Sequence, residues 1–172
     1  MATANKISLV ACTELKSELS IVDCSTIMRS PPTRLYVDNT VQEAIDLLVE
    51  RHMYNLPVVD RDEIFVGEIS TRRLIGLMLP VSLSMEMGLK HTGFMRETRE
   101  ELRKRLDKVS DQPITPYIAT DITVVYPDSP LIDALMLLYH KYIRVPVVER
   151  DSGRLVGGIS FLTVLRALEG KG

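Results

Sequence analysis

Few side chains in this sequence of 172 residues could carry out chemistry. Its three histidines are His52, His91 and His140, and no His-x-x-x-His or Gly-x-Ser-x-Gly motif occurs. The spacing of Cys12 and Cys24 matches neither a zinc knuckle nor a thioredoxin-like redox pair. A catalytic site needs a nucleophile or a general base with a partner in reach. The sequence therefore predicts a protein that is not an enzyme and has no metal site.

A different group of residues could bind an anion. Ser70 stands before a predicted helix, and Arg72 and Arg73 fall in its first turn. The N-terminus of a helix carries free backbone N–H groups and a partial positive charge, both of which favour an anion. The two arginines could equally be surface residues in weak ion pairs. Both interpretations stay open on the sequence alone.

Composition limits the class of protein. The chain has 45% hydrophobic residues, enough for a packed core, and its 21 Lys and Arg nearly balance its 23 Asp and Glu. The basic residues are spread along the chain, so nucleic acid is not expected as a partner. We expect no signal peptide and no membrane span. Two cysteines are too few for a disulfide framework, which favours reduced thiols in a cytoplasmic protein.

The sequence contains an internal repeat with an offset close to 90 residues. The offset is 90 between Asp38 and Asp128, and 89 between Pro57 and Pro146. It returns to 90 at the Val-Gly-x-Ile-Ser segments, 66–70 and 156–160. The extra residue of the second repeat falls in a turn, where changes of length are tolerated.

Each repeat is predicted to form a strand, a helix, two strands and a second helix. The first helix of the first repeat has apolar residues at 41, 44, 45, 48 and 49, with Thr40 and Glu43 placed for a capping box. In the second repeat, Ser129 could cap the same helix and Pro130 could start it. The apolar runs 56–59 and 145–148 are typical of buried strands, with a proline at the head of each. Ser70 and Ser160 are expected to cap the last helices.

The connector between the repeats is too long for an ordinary loop. Residues 97–109 carry Leu102, Leu106 and Val109 at helical spacing among alternating charges. This pattern predicts an amphipathic helix that packs onto the module or onto a second subunit.

The repeats resemble the CBS (cystathionine-β-synthase) domain pair, also called a Bateman module. The resemblance covers residues 25–79 and 113–169 and rests on Ile27-Met28, the two helix starts, Leu-Pro-Val-Val-Asp at 56–60, Val-Pro-Val-Val-Glu at 145–149, and Val-Gly-x-Ile-Ser twice. It implies an α/β (α+β) fold of two βαββα units packed sheet to sheet with pseudo-twofold symmetry. Residues 1–24 would then be an N-terminal extension and residues 80–112 a helical connector.

The resemblance also implies two clefts that take AMP, ADP, ATP or S-adenosylmethionine. The family signature begins with a glycine, which is followed three residues later by a serine or threonine. An aspartate that binds the ribose stands three residues after that hydroxyl. Here Gly67 and Ser70 are followed by Arg73, and Gly157 and Ser160 by Thr163, so both aspartates are absent. Arg144 matches a position from which some family members direct a basic side chain at the phosphates of the ligand. The cleft of Ser160, Thr163 and Arg144 therefore keeps more of the family chemistry than that of Ser70, Arg72 and Arg73.

The resemblance implies a regulatory, ligand-sensing homodimer that binds an adenine nucleotide or related adenosyl ligand and controls an unidentified partner protein. Because both aspartates are absent, we expect this binding to be weak. The absence of both aspartates keeps a second hypothesis open, in which the chain is a structural dimerisation or scaffold module with no nucleotide bound.

Overall fold

A computed structural model describes residues 22–30, 32–79, 97–140 and 142–170. The first repeat contains β1 (Leu35–Tyr36), α1 (Val41–Glu50), β2 (Asn55–Val59), β3 (Phe65–Ser70) and α2 (Thr71–Met78). The helix α3 (Arg99–Asp107) follows. The second repeat contains α4 (Leu131–His140), β4 (Arg144–Val148), β5 (Leu155–Ser160) and α5 (Phe161–Leu168). The predicted α/β class is confirmed. Residues 1–21, and with them Cys12, lie outside the described residues, as does His91.

The predicted capping box at the start of α1 is confirmed. Thr40 Oγ1 accepts a hydrogen bond of 3.2 Å from the Glu43 backbone N–H, and the Thr40 N–H donates to Glu43 Oε2 at 2.8 Å. Thr98 and Glu101 make the same reciprocal pair at the start of α3. These bonds satisfy backbone donors that a helix leaves without partners in its first turn.

The sheet of the first repeat has the order β1-β2-β3, with β1 parallel and β3 antiparallel to the central strand β2. Pro57 was expected at the head of this strand, and that prediction is wrong, because it is the third of five residues. In the second repeat the equivalent Pro146 accepts a bond through its carbonyl from Val125 N–H. The nitrogen of Pro146 faces the same strand edge as this carbonyl, towards Val125. The hydrogen-bond ladder with that neighbouring segment begins here, so the missing N–H of the proline costs no hydrogen bond.

The first strand of the second repeat is reduced to a single bridge between Val125 and Val147. In the first repeat the Val37 N–H extends the corresponding ladder by donating to Val59 O at 3.0 Å. The residue equivalent to Val37 is Pro127, which has no N–H. The proline therefore ends the pairing one bond early.

Ser129 does not cap α4 as predicted. Its hydroxyl accepts a bond of 3.0 Å from the Tyr126 N–H, upstream of the helix, and the helix is assigned from Leu131 rather than from Pro130. Asn39, the counterpart of Ser129, accepts in the same way from the Tyr36 N–H at 2.7 Å. A short polar side chain thus closes the turn before the first helix of each repeat.

The pseudo-twofold axis passes where a residue meets its own counterpart. Ile64 forms an antiparallel bridge with Arg154, the residue 90 positions later. Two backbone hydrogen bonds of 3.0 Å flank it, from Phe65 N to Gly153 O and from Leu155 N to Glu63 O. Shifting the two residues of one bond by the repeat offset of 90 gives the two residues of the other bond. The symmetry predicted for the pair of repeats is therefore built into this turn-to-turn contact.

The segment that leads into each repeat pairs with the other repeat. Arg29 exchanges backbone hydrogen bonds of 3.1 Å with Gly158 of β5, whereas Ala119 exchanges bonds of 2.8 and 2.9 Å with Glu68 of β3. Cys24 is fully buried in the core of the second repeat, and Ile114 is fully buried in that of the first. This exchange joins the two repeats along both outer sheet edges.

The connector helix α3 packs onto the first repeat. Leu106 and Val109 lie against its core, and Arg105 donates to the Met78 carbonyl at the end of α2 with a 2.9 Å hydrogen bond. Of the two predicted placements of this helix, the structure has the one on the module itself.

Candidate functional site

A cavity of about 580 Å³ opens between the leading segment and the second repeat. Its walls come from residues 26–30, 32 and 33 on one side, and from the start of β4 and from α5 on the other. The lining side chains that carry charge or a hydroxyl are Thr26, Arg29, Ser30, Thr33, Arg144, Thr163 and Arg166. None of the described lining residues is acidic. The cavity therefore combines hydrogen-bonding groups with excess positive charge.

Thr163 lines the cavity, and Ser160 lies next to it. Ser160 is the N-cap of α5, where its hydroxyl accepts a bond of 3.2 Å from the Thr163 N–H. The hydroxyls of the two residues are 2.8 Å apart, and only 9% of Thr163 is exposed. Thr163 lines the cavity itself, whereas Ser160 holds it in place from behind. The predicted capping role of Ser160 is confirmed.

Arg144 lies opposite Ser160 in the β4–β5 register and lines the cavity. Its side chain runs along the backbone of Gly158, where a Cβ atom would come within 3.4 Å of Arg144 Cδ. Burial lowers the pKa of the guanidinium; Glu68 acts to raise it, and Arg29 acts to lower it. An arginine stays protonated despite such a shift. The structure thus brings together three predicted site residues: Arg144, Ser160 and Thr163.

The equivalent positions of the first repeat hold a hydrogen-bonded pair of side chains. Asn55 replaces Arg144, and Glu68 replaces Gly158, and the Asn55 amide donates to Glu68 Oε2 at 2.8 Å. Both side chains are buried. The two clefts of the pseudo-symmetric pair therefore differ in chemistry, with an arginine available in one and an amide already bonded to a carboxylate in the other.

Gly157 supports the cavity without lining it. A Cβ atom at this position would stand 2.7 Å from Met28 Sδ, and Met28 is part of the cavity wall. The glycine therefore allows the leading segment to pack against β5 at the distance that the cavity requires.

Ser70, Arg72 and Arg73 lie at the start of α2 in the first repeat, away from this cavity. Ser70 is the N-cap, and its hydroxyl accepts a bond of 3.4 Å from the Arg73 N–H. Both arginines are exposed. The cap is confirmed, while binding of an anion by these residues stays a prediction.

Arg29 and Arg166 also line the cavity and were not predicted from the sequence. Arg166 follows Thr163 by three residues, so the two share one helix face, and this spacing could have pointed to it. Arg29 belongs to the segment that crosses to the second repeat, and nothing in its local sequence indicates that pairing. With Arg144, these residues place three guanidinium groups around one cavity.

Within the described ranges, no cluster of three or more His, Cys, Asp and Glu side chains could hold a metal ion. Over the same residues, no helix has both the length and the apolar character needed to cross a bilayer.

The family model for the CBS domain matches this chain twice, over residues 24–80 and 113–170. These matches cover well over half of the chain and coincide with the two structural repeats. The chain therefore belongs to the CBS domain family and carries two CBS domains in tandem.

Known relatives support the same assignment. The chain is 34% identical to the chloroplastic CBS domain-containing protein CBSX1 of Arabidopsis thaliana over 134 residues, which are 74% of this chain and 55% of that protein. It is 27% identical to the uncharacterized protein MJ1004 of Methanocaldococcus jannaschii over 135 residues, 78% of this chain and 51% of that one. The chain thus spans about half the length of these relatives.

A solved relative carries a ligand. The crystal structure of CBSX2 of Arabidopsis thaliana in complex with AMP superposes with a TM-score of 0.61 at 26% identity, over 86% of this chain and 96% of that one. The fold described above is therefore that of a CBS-pair protein.

Proposed function

We propose that this chain is a regulatory CBS-pair module that binds an anionic adenine nucleotide in the cavity of Arg144 and Thr163. The observation that carries the proposal is the ring of Arg29, Arg144 and Arg166, with no acidic residue among the described cavity walls. A cavity of about 580 Å³ lies within the usual range of small-molecule sites. The AMP complex of CBSX2, a protein of the same fold, supports a nucleotide as ligand.

The charge of the site selects among the adenosyl ligands. Burial is the main cause that lowers the pKa of Arg144, and the charge of Arg29 lowers it further, because the two cations repel each other. A phosphate group relieves this repulsion and accepts charge-assisted hydrogen bonds from guanidinium groups. S-adenosylmethionine brings a positively charged sulfonium instead. AMP, ADP and ATP are therefore favoured over S-adenosylmethionine and over uncharged adenosine.

Thr163 sets the strength of binding. A threonine hydroxyl replaces the ribose carboxylate that the family resemblance implies, and a neutral acceptor forms a weaker bond than a charged one. The loss is about 1.5–3 kcal/mol, or one to two decades in affinity. We propose that the nucleotide binds in the micromolar range or more weakly.

The proposed module acts on another protein rather than by catalysis. We propose that it works as a homodimer in the cytoplasm and that nucleotide binding changes its contact with an unidentified target. The second hypothesis, a scaffold that binds no nucleotide, is supported by the threonine and arginine that stand at the two expected aspartate positions, 163 and 73.

Thermal denaturation with AMP, ATP, adenosine and S-adenosylmethionine tests the choice. A ligand that binds only the native state raises its melting temperature by mass action. We expect AMP and ATP to raise it, adenosine and S-adenosylmethionine to leave it nearly unchanged, and Thr163→Asp to enlarge the shift with AMP. A flat response to all four ligands in both proteins would favour the scaffold.

A further inference from the structure

We propose that Glu68 of the first repeat is the buried counter-ion of Arg144, and that a nucleotide phosphate in the cavity competes with Glu68 for this arginine. Glu68 is then a positioning residue, because it acts on the ligand through Arg144. The inference rests on the proposed nucleotide site and adds its regulation. Occupancy of a cavity in the second repeat is linked to the protonation of a carboxyl group in the first.

Glu68 lies on the face of its sheet that meets the other repeat. Side chains along β2 alternate between the two faces of the sheet, and Leu56 belongs to the core under the helices. Asn55 and Val59 therefore lie on the opposite face, where Val59 packs against Val148 of the second repeat. The bond between Asn55 and Glu68 places Glu68 on this same face.

Arg144 lies on the equivalent face of the second repeat. Its neighbour Val145 is fully buried in the core under the helices of that repeat, so Arg144 points to the other side of the sheet. Gly158, the counterpart of Glu68, has no side chain, and the stem of Arg144 runs along it. The contact between the repeats thus has a buried carboxyl group on one side and a guanidinium group on the other.

The two groups act on each other across this contact. Burial raises the pKa of Glu68, while the Asn55 bond and the charge of Arg144 act to lower it. Burial lowers the pKa of Arg144, while the charge of Glu68 acts to raise it and that of Arg29 to lower it. The segment beside Glu68 contributes backbone hydrogen bonds through Ala119. Glu68 and Arg144 are therefore a charge pair that joins the repeats.

The carboxyl group of Glu68 is only half satisfied by hydrogen bonds. The Asn55 amide binds Oε2, and no described residue binds the buried Oε1. A buried carboxylate that lacks hydrogen bonds is destabilised in its ionised form, so it depends on nearby positive charge. The protonation of Glu68 therefore responds to what Arg144 binds.

A phosphate at Arg144 changes this balance in a defined direction. The guanidinium group donates charge-assisted hydrogen bonds to the phosphate, whose negative charge further disfavours an ionised Glu68. Proton and nucleotide then favour each other's binding. Below the ordinary pKa of 4.5, Glu68 is protonated with or without ligand and has no effect on affinity. As the pH rises through the raised pKa of Glu68, affinity for the nucleotide falls.

Calorimetric titration of AMP into wild type and Glu68→Gln at several pH values tests the link. Glutamine has nearly the size of glutamate and does not ionise, while the titration of the AMP phosphate affects both proteins alike. We expect nearly equal affinities at about pH 5, and binding that is about threefold to tenfold tighter in the variant at about pH 8. Glu149→Gln, the same change at an exposed carboxylate of the second repeat, should follow the wild type. The same pH dependence in wild type and Glu68→Gln would overturn the inference.

Carbon NMR of the Glu68 carboxyl group tests the link in the wild-type protein. Its chemical shift is followed against pH without AMP and with AMP at a saturating concentration. We expect AMP to raise the midpoint of this titration. A midpoint that AMP leaves unmoved would contradict the inference.

A double-mutant cycle without nucleotide separates the charge pair from the nucleotide site. Wild type, Glu68→Gln, Arg144→Met and the double variant are unfolded in urea at about pH 8. We expect Arg144→Met to destabilise the wild type more than it destabilises Glu68→Gln. Equal losses, in a protein that binds AMP, would overturn the link alone and leave the proposed function standing. Absence of AMP binding to the wild type would overturn the proposed function and the link with it.

Discussion

The Asn55 side-chain amide donates a hydrogen bond of 2.8 Å to Glu68 Oε2, and less than a tenth of either residue is exposed. No described residue hydrogen-bonds the other carboxylate oxygen, Oε1. Burial raises the pKa of Glu68, and the Asn55 bond and the charge of Arg144 only partly oppose that rise. A carboxylate of the first repeat is therefore coupled electrostatically to the arginine that lines the cavity of the second.

This coupling predicts a pH dependence of stability. Because the pKa of Glu68 is higher in the native state than in the unfolded chain, its contribution is fully present below the ordinary value of 4.5 and is lost as the pH rises through the raised value. Glu68→Gln removes the titration. We expect the free energy of unfolding of the variant, relative to that of the wild type, to increase as the pH rises from about 4 to about 7. Urea denaturation of both proteins across this range measures the difference, and a difference independent of pH would contradict the account.

Close backbone packing predicts an order among three glycine substitutions. A Cβ at Gly67 would overlap the Ala119 carbonyl oxygen, which the exchanged pairing with Glu68 holds in place, whereas at Gly157 it would meet the flexible end of Met28. We expect Gly67→Ala to cost about 3 kcal/mol and Gly157→Ala about 1 kcal/mol. Gly76→Ala, in α2 with no heavy atom within 4 Å of the new Cβ, should be neutral or stabilise by up to about 1 kcal/mol. Equal losses at Gly67 and Gly76 would refute the exchanged pairing.

The buried strands predict loss of folding when they receive a charge. Leu56 and Val147 are fully buried in β2 and β4. Leu56→Asp or Val147→Asp places an uncompensated carboxylate in a core, and we expect no cooperative melting transition. Val49→Asp, at a position that is 68% exposed, serves as the matched control and should melt as the wild type does. Cooperative melting of either core variant would contradict the strand assignment.

Local sequence was sufficient to predict the repeat units. Capping boxes, helix stripes and apolar runs are determined by neighbours within a few residues, which is why Thr40, Ser70 and Ser160 were assigned correctly. Val49 was expected on the buried face of α1, but it is exposed. The apolar stripe of the helix is wider than the core that it covers, and the sequence does not give the width of that core.

Contacts between the two repeats could not be predicted from the sequence. The pairing of Arg29 with Gly158 joins residues 129 positions apart, and its bonds are made by the backbone, which leaves no side-chain pattern. The cavity depends on this crossing, so Arg29 could not be recognised as part of its wall. Arg144 was found because a family resemblance, rather than its neighbours, pointed to it.

The central claim, nucleotide binding in the second-repeat cavity, is tested most directly by calorimetric titration of AMP into wild type, Arg144→Ala and Arg73→Ala. Arg73 is the first-repeat counterpart of Thr163 and is exposed outside the cavity. Loss of a charge-assisted hydrogen bond worth about 1.5–3 kcal/mol should weaken binding by about tenfold to a hundredfold in Arg144→Ala. Arg73→Ala should bind as the wild type does. Unchanged affinity in Arg144→Ala together with weaker binding in Arg73→Ala would contradict the account and move the site to the first repeat.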